Sequence, residues 1–211
     1  MSGRLRIIAG SLGGRLIEVP EAGTRPFADR VRQALFAVLE PRLLGAHVLD
    51  LCAGSGAAGI EALSRGAESV LFVDLSRRAA EVIRRNLAGL DLVARAEVRV
   101  ADAGSSAASL AAVGRVFVIV IADPPYDDLA VRREILRVLG TTPSALAAQG
   151  LLVLSGRKQK EGAVQEGAAR DGGSGLRLVR SLTFGETLVE LYERDVDQVR
   201  ATEQVAETEE A

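Results

Sequence analysis

Asp50-Leu51-Cys52-Ala53-Gly54-Ser55-Gly56-Ala57-Ala58-Gly59 is the stretch on which the fold turns. It joins an apolar run, His47–Leu51, to an alanine-rich run, Gly56–Arg65, with a helical pattern. Glycines at a strand-to-helix junction let the chain turn tightly and let a ligand approach the helix N-terminus. Taken alone, Gly54-x-Gly56-x-x-Gly59 also fits a dinucleotide fingerprint. Asp74, 20 residues after Gly54, even stands where a nicotinamide enzyme places its ribose-binding acid.

Outward from this loop the chain alternates. Ser69–Asp74, Ala96–Val100 and Val116–Ile121 read as further buried strands. Ser76–Leu90, Ser105–Val113 and Leu129–Leu139 carry helical patterns after them. Strand–helix alternation at this spacing predicts βαβ units on a parallel sheet. A fifth strand is expected at Leu151–Leu154. Leu176–Phe184 and Thr187–Tyr192 read as a hairpin through Gly185–Glu186. The six glycines of Gly156–Gly175 predict a flexible loop between them. Ahead of the first strand, Arg4–Ala9 and Arg15–Val19 flank Gly10–Gly14 as a small hairpin. A helix is expected at Ala28–Leu39, with Pro41 after its end. The organisation is thus an N-terminal extension (1–44), one α/β domain (45–194) and an acidic, disordered tail (195–211).

Composition agrees with one domain. The chain has 211 residues, 48% hydrophobic, with 3% aromatics and no Trp. A core of Ala, Val, Leu and Ile favours helices on a parallel sheet. One cysteine excludes an internal disulfide framework and fits a reducing cytoplasm. One histidine beside one cysteine argues against a zinc site or a Ser–His pair. No apolar run approaches the ~20 residues of a membrane span, and no signal peptide is evident. Net charge is −2, so no global basic field exists for nucleic acid. The distribution is uneven: residues 1–44 hold seven Arg against four acids, and residues 195–211 hold six acids against one Arg.

Two features separate the readings of the glycine loop. Asp50 ends its strand four residues before Gly54. A carboxylate there suits a ligand bearing an ammonium and a sulfonium, and suits a pyrophosphate poorly. The second feature is Asp123-Pro124-Pro125-Tyr126 after the fourth strand, for which hydride transfer has no use. The amine on a nucleobase is a poor nucleophile because its lone pair is delocalised into the ring. Two acceptors aimed at its N–H bonds draw it toward tetrahedral geometry. The Asp123 side chain supplies one acceptor and the Pro124 carbonyl the other. Proline fixes φ, so the carbonyl is placed before reaction. Tyr126 can stack on a flipped base. The sequence therefore predicts an S-adenosylmethionine-dependent amine methyltransferase. Asp50, Ala53, Gly54, Ser55 and Gly56 would line the cofactor site. Asp74 would accept both ribose hydroxyls and Asp102 a hydrogen bond from the adenine amine, with Leu75 and Ala103 also at the cofactor.

These residues resemble the RsmD family, bacterial 16S ribosomal RNA guanine-N2 methyltransferases. Arg6-Ile7-Ile8-Ala9-Gly10 with Gly14-Arg15, Arg25-Pro26 with Asp29–Arg32 and Leu35-Phe36, Leu49–Arg65, and Ala122–Tyr126 carry the resemblance. It implies a Rossmann-like, seven-strand class I methyltransferase sheet whose last strands form a reversed hairpin. The implied substrate is the N2 amine of one guanine in small-subunit rRNA, within a partly assembled particle. The implied enzyme is cytoplasmic, with no metal and no membrane contact. The extension would grip RNA phosphates through Arg4, Arg6, Arg15, Arg25, Arg30 and Arg32. Adenine N6 in DNA or a glutamine side chain are other amines the same motif class serves. A nicotinamide-dependent oxidoreductase and a non-catalytic RNA-binding module are the readings from other classes.

Overall fold

The computed structural model describes residues 3–20, 29–158 and 175–195. Strands β3 (His47–Leu51), β4 (Ser69–Asp74), β5 (Ala96–Val100), β6 (Phe117–Ala122), β7 (Leu146–Arg157), β8 (Leu176–Phe184) and β9 (Thr187–Arg194) form one sheet. Its order is β5-β4-β3-β6-β7-β9-β8. β3 to β7 pair in parallel, while β9 runs antiparallel between β7 and β8. The near-continuous apolar runs of β3, β4 and β6 follow from burial on both faces.

Helices α1 (Asp29–Leu39), α2 (Ala57–Ser64) and α3 (Arg77–Gly89) pack one face, and α4 (Ala103–Ala112) and α5 (Leu129–Gly140) the other. α2 is buried all round, so it is built of small residues. A Cβ on Gly59 would lie 2.3 Å from the Phe72 ring, which is why the third glycine of the loop is there. Ser76 caps α3 by accepting the Ala79 N–H, and Asp102 caps α4 from the Ser105 N–H.

The extension forms the expected hairpin, β1 (Arg4–Arg6) with β2 (Leu16–Glu18). It shares its core with the sheet: Ile7, Ile17, Val31, Leu35 and Phe36 sit in the same cluster as Val48, Ile60 and Leu63. Glu61, fully buried on α2, accepts the Ile8 and Ala9 N–H groups at 2.8 and 3.0 Å. Gly10, at φ +84°, passes so close to α2 that a Cβ would fall 2.0 Å from the Ser64 carbonyl oxygen. Asn86 of α3 completes the seam, pairing with the Glu18 backbone and donating to the Ser55 carbonyl.

Among the boundaries that differ from expectation, three bear on the site. α4 begins at Ala103 rather than Ser105, because Asp102 caps it. β6 is shifted by one residue, to Phe117–Ala122. β7 is far longer than Leu151–Leu154. Phe117 pairs with Leu146 across a bulge, and Gly156 and Arg157 go on pairing with β9. The first residues of the expected flexible loop are therefore strand. Residues 159–174 of that loop, and the tail from 196, lie outside the described residues. Among the described residues, no helix is long and apolar enough to cross a membrane.

Candidate active site

Asp50, Asp74, Asp102 and Asp123 stand at or just past the carboxyl ends of β3, β4, β5 and β6, where open α/β sheets bind ligands. Their convergence is read out by Cys52, which is half-buried among them at φ +58°. Burial and then the charges of Asp74, Asp123, Asp50 and Asp102 push its thiol up to about 12. The four side chains are thus close enough for their fields to reach one thiol.

Asp50 is 2% exposed and its Oδ2 accepts the Gly59 N–H at 2.9 Å. It braces the glycine loop. Burial, then the fields of Asp123 and Asp74, raise its carboxyl well above the usual range, against the pull of the Gly59 amide. Asp74 accepts the Gly54 N–H and the Ser76 N–H, both at 2.8 Å. Each of its oxygens keeps a lone pair for a ribose hydroxyl. Gly54 and Gly56 take left-handed φ values of 57° and 77°, so both turn where other residues would be strained. Ala53 donates to the Val73 carbonyl, Ser55 is buried, and Ala103 is buried under α4's first turn. Leu75 is 74% exposed at the exit of β4, an apolar flank suited to a purine face. Asp102 is exposed, and its Ser105 hydrogen bonds hold its carboxyl low.

Asp123 is half-buried, and its Oδ1 is hydrogen-bonded to the Ser155 hydroxyl. Burial pushes its carboxyl up to about 6, against the lowering effect of Ser155. Pro124 is buried and Pro125 exposed. The Tyr126 hydroxyl lies 2.8 Å from Thr187 Oγ1, so the ring is tethered to the start of β9. Ser155 and Thr187 were not legible as site residues. A lone serine ending an apolar strand was the one signal for the first.

The raised Asp123 carboxyl has a stability consequence. Its folded value of about 6 exceeds the unfolded ~3.9. The folded state thus holds the proton more tightly, and this stability is present below pH ~4 and lost as pH rises through about 6. Asp123→Asn cannot ionise and escapes the loss. Urea unfolding of both chains should show the variant gaining on the order of 1–3 kcal/mol over the natural chain between pH ~4 and pH ~7.5. A gap independent of pH would refute the burial argument.

Of the six arginines expected to grip RNA, Arg4, Arg6, Arg15 and Arg30 are exposed. Arg25 lies outside the described residues. Arg32 is a correction. Its side chain is 0% exposed, and its Nη2 donates to the Arg6 carbonyl and to Asp29 Oδ1, both at 2.7 Å. Arg32 faces inward and staples α1 to β1, while its partner Asp29 stays exposed. Spacing alone could not distinguish the inward face of α1 from the outward one.

The family model described as Conserved hypothetical protein 95 matches residues 5–193. The chain belongs to this family. All four stretches that resemble RsmD proteins fall within the match. YlbH of Bacillus subtilis (strain 168) is 33% identical over 90% of this chain and 99% of its own length. Ribosomal RNA small subunit methyltransferase D of Escherichia coli (strain K12) is 40% identical over 126 residues, 59% of this chain and 62% of that protein. The solved structure of E. coli yhhF superposes with a TM-score of 0.73 at 31% identity, covering 92% of this chain and 99% of that one. The fold of this family member is the Rossmann-like class I methyltransferase fold, with its antiparallel β9 inserted between β7 and β8.

Proposed function

We propose that the chain is an S-adenosylmethionine-dependent methyltransferase acting on the N2 amine of one guanine in small-subunit ribosomal RNA, presented in a partly assembled particle. The observation that carries the reading is the convergence of Asp50, Asp74, Asp102 and Asp123 on Cys52 at the carboxyl ends of four successive strands, with Asp123 opening the Asp123-Pro124-Pro125-Tyr126 run. The relatives support rRNA as the substrate: one sharing 40% identity is named a small-subunit rRNA methyltransferase. S-adenosylmethionine, when bound, supplies an electrophilic methyl group on a sulfonium. The chain's own residues fit it: Asp50 and Asp74 balance its positive charge, Asp74 takes the ribose hydroxyls, and Leu75 with Asp102 and Ala103 flanks the adenine. Asp123 and the Pro124 carbonyl accept the two N–H bonds of the guanine amine, and Tyr126 stacks on the base. Transfer is then governed by position more than by proton abstraction. Arg4, Arg6, Arg15 and Arg30, on the exposed side of the extension, contact phosphates.

Two measurements test the reading. S-adenosylmethionine at ~100 times its Kd should stabilise the fold by about 2.7 kcal/mol, and NAD should not. Calorimetry with NAD binding in its place would return the chain to the oxidoreductases. Small-subunit particles from cells lacking the gene, incubated with the protein and labelled cofactor, should gain one N2-methylguanine by mass spectrometry. Label on an adenine or on protein would move the enzyme to another amine.

A further inference from the structure

We propose that Ser155 is a positioning residue for the reaction: its buried hydroxyl holds one oxygen of Asp123 and leaves the other to accept the substrate amine. The inference rests on the reading of Asp123 given above. Parallel pairing sets Ala122 of β6 beside Leu154 of β7, so the next residues of each strand meet. Ser155 is fully buried, and among the described residues its Oγ has one side-chain partner, Asp123 Oδ1. A serine hydroxyl has one hydrogen to give, and an ionised carboxylate can only accept it. An unheld carboxylate rotates about its Cβ–Cγ bond and presents its oxygens interchangeably. Bonded through Oδ1, it cannot, and Oδ2 becomes the acceptor for the amine. A static acceptor of this kind is electrostatic preorganisation, because nothing has to reorient as charge develops on the amine.

Ser155 is itself held from behind. Its carbonyl accepts Arg132 Nη1 of α5 at 2.7 Å, and the same guanidinium is ion-paired with Glu190 of β9. Gly156 makes the room, since a Cβ there would come within 3.2 Å of Arg132 Nη1. α5, β7 and β9 thereby fix the backbone from which the hydroxyl reaches Asp123. Bonding to the charged form also favours ionisation, opposing the burial that pushes Asp123 upward.

The test is Ser155→Ala in the full chain, read in two ways. Carbon-13 NMR of aspartate-labelled protein follows the Asp123 carboxyl, assigned by its absence in Asp123→Asn. Asp50, Cys52 and Asp74 across the pocket, Tyr126 on the same loop, and Arg132 and Glu190 behind Ser155 are common to both chains. The shift between them therefore isolates the hydroxyl. The Asp123 midpoint should move up by roughly half a unit to one unit in the alanine variant. Methyl transfer to small-subunit particles should fall about tenfold in kcat, with KM and S-adenosylhomocysteine affinity within about twofold. An unmoved midpoint overturns the proposal, and so does a shifted midpoint with kcat unchanged, or a slow enzyme whose midpoint has not moved. A natural chain inactive on particles, with the midpoint still shifting in the variant, would instead overturn the proposed substrate and leave the Ser155–Asp123 bond standing.

Discussion

Asp123→Ala is expected to keep the fold and the affinity for S-adenosylmethionine while turnover falls by on the order of 10²–10³. In the proposed mechanism the carboxylate is one of two acceptors on the amine, so its loss would remove charge stabilisation needed only as the nitrogen becomes tetrahedral. Asp123→Asn should lose less. Its amide oxygen can still accept one N–H, though it carries no charge and its NH₂ could occupy the same place. Single-turnover methylation of small-subunit particles, with cofactor affinity measured alongside, separates chemistry from binding. Equal losses in the two variants would mean that charge, not acceptance, is what Asp123 supplies. An active alanine variant would remove Asp123 from the chemistry.

Deleting residues 1–20 is expected to destroy the fold, and not merely the grip on RNA. Ile7 and Ile17 are 1% and 2% exposed, and each contributes about 1.5–3 kcal/mol by burial. The same cut takes two N–H donors from the buried carboxylate of Glu61, leaving Arg65 to neutralise it. Each lost donor costs roughly 1–3 kcal/mol. The sum, about 5–12 kcal/mol, is comparable with the ~5–15 kcal/mol stability of an ordinary domain. Thermal melting should find no cooperative transition in the truncated chain. A truncation melting like the full chain would show that the hairpin is a detachable appendage. The gentler probe of RNA contact is Arg4→Ala with Arg6→Ala, since both side chains point outward and neither belongs to the core.

The parallel part of the sheet was legible because it rests on two local signals, apolar runs and a glycine turn. The four carboxylates were legible because one acid closes or follows each of four successive strands. Arg32 misled because a helix face carries no sign of what covers it, and the cover comes from β1, 26 residues earlier. Glu61 went unread for the same reason. An acid amid alanines is ordinary on a surface and costly inside, and the hairpin's two N–H groups, with Arg65, make the inside tolerable. Ser155 and Thr187 depended on the pairing of β7 with β6 and of β9 with β7, a register that no local pattern encodes. The length of β7 was hidden by Gly156, which in sequence reads as a loop and in the sheet leaves space for Arg132.

Cys52 carries a last consequence. A sulfonium methyl donor can alkylate a thiolate, and the chain's one cysteine stands among the carboxylates proposed to meet the donor. With its thiol pushed up to about 12, roughly one molecule in 10⁵ bears a thiolate near neutral pH. An unperturbed cysteine would expose a few per cent. Burial first, and the neighbouring carboxylates second, therefore keep the thiol protonated, and the protein is kept from becoming its own substrate.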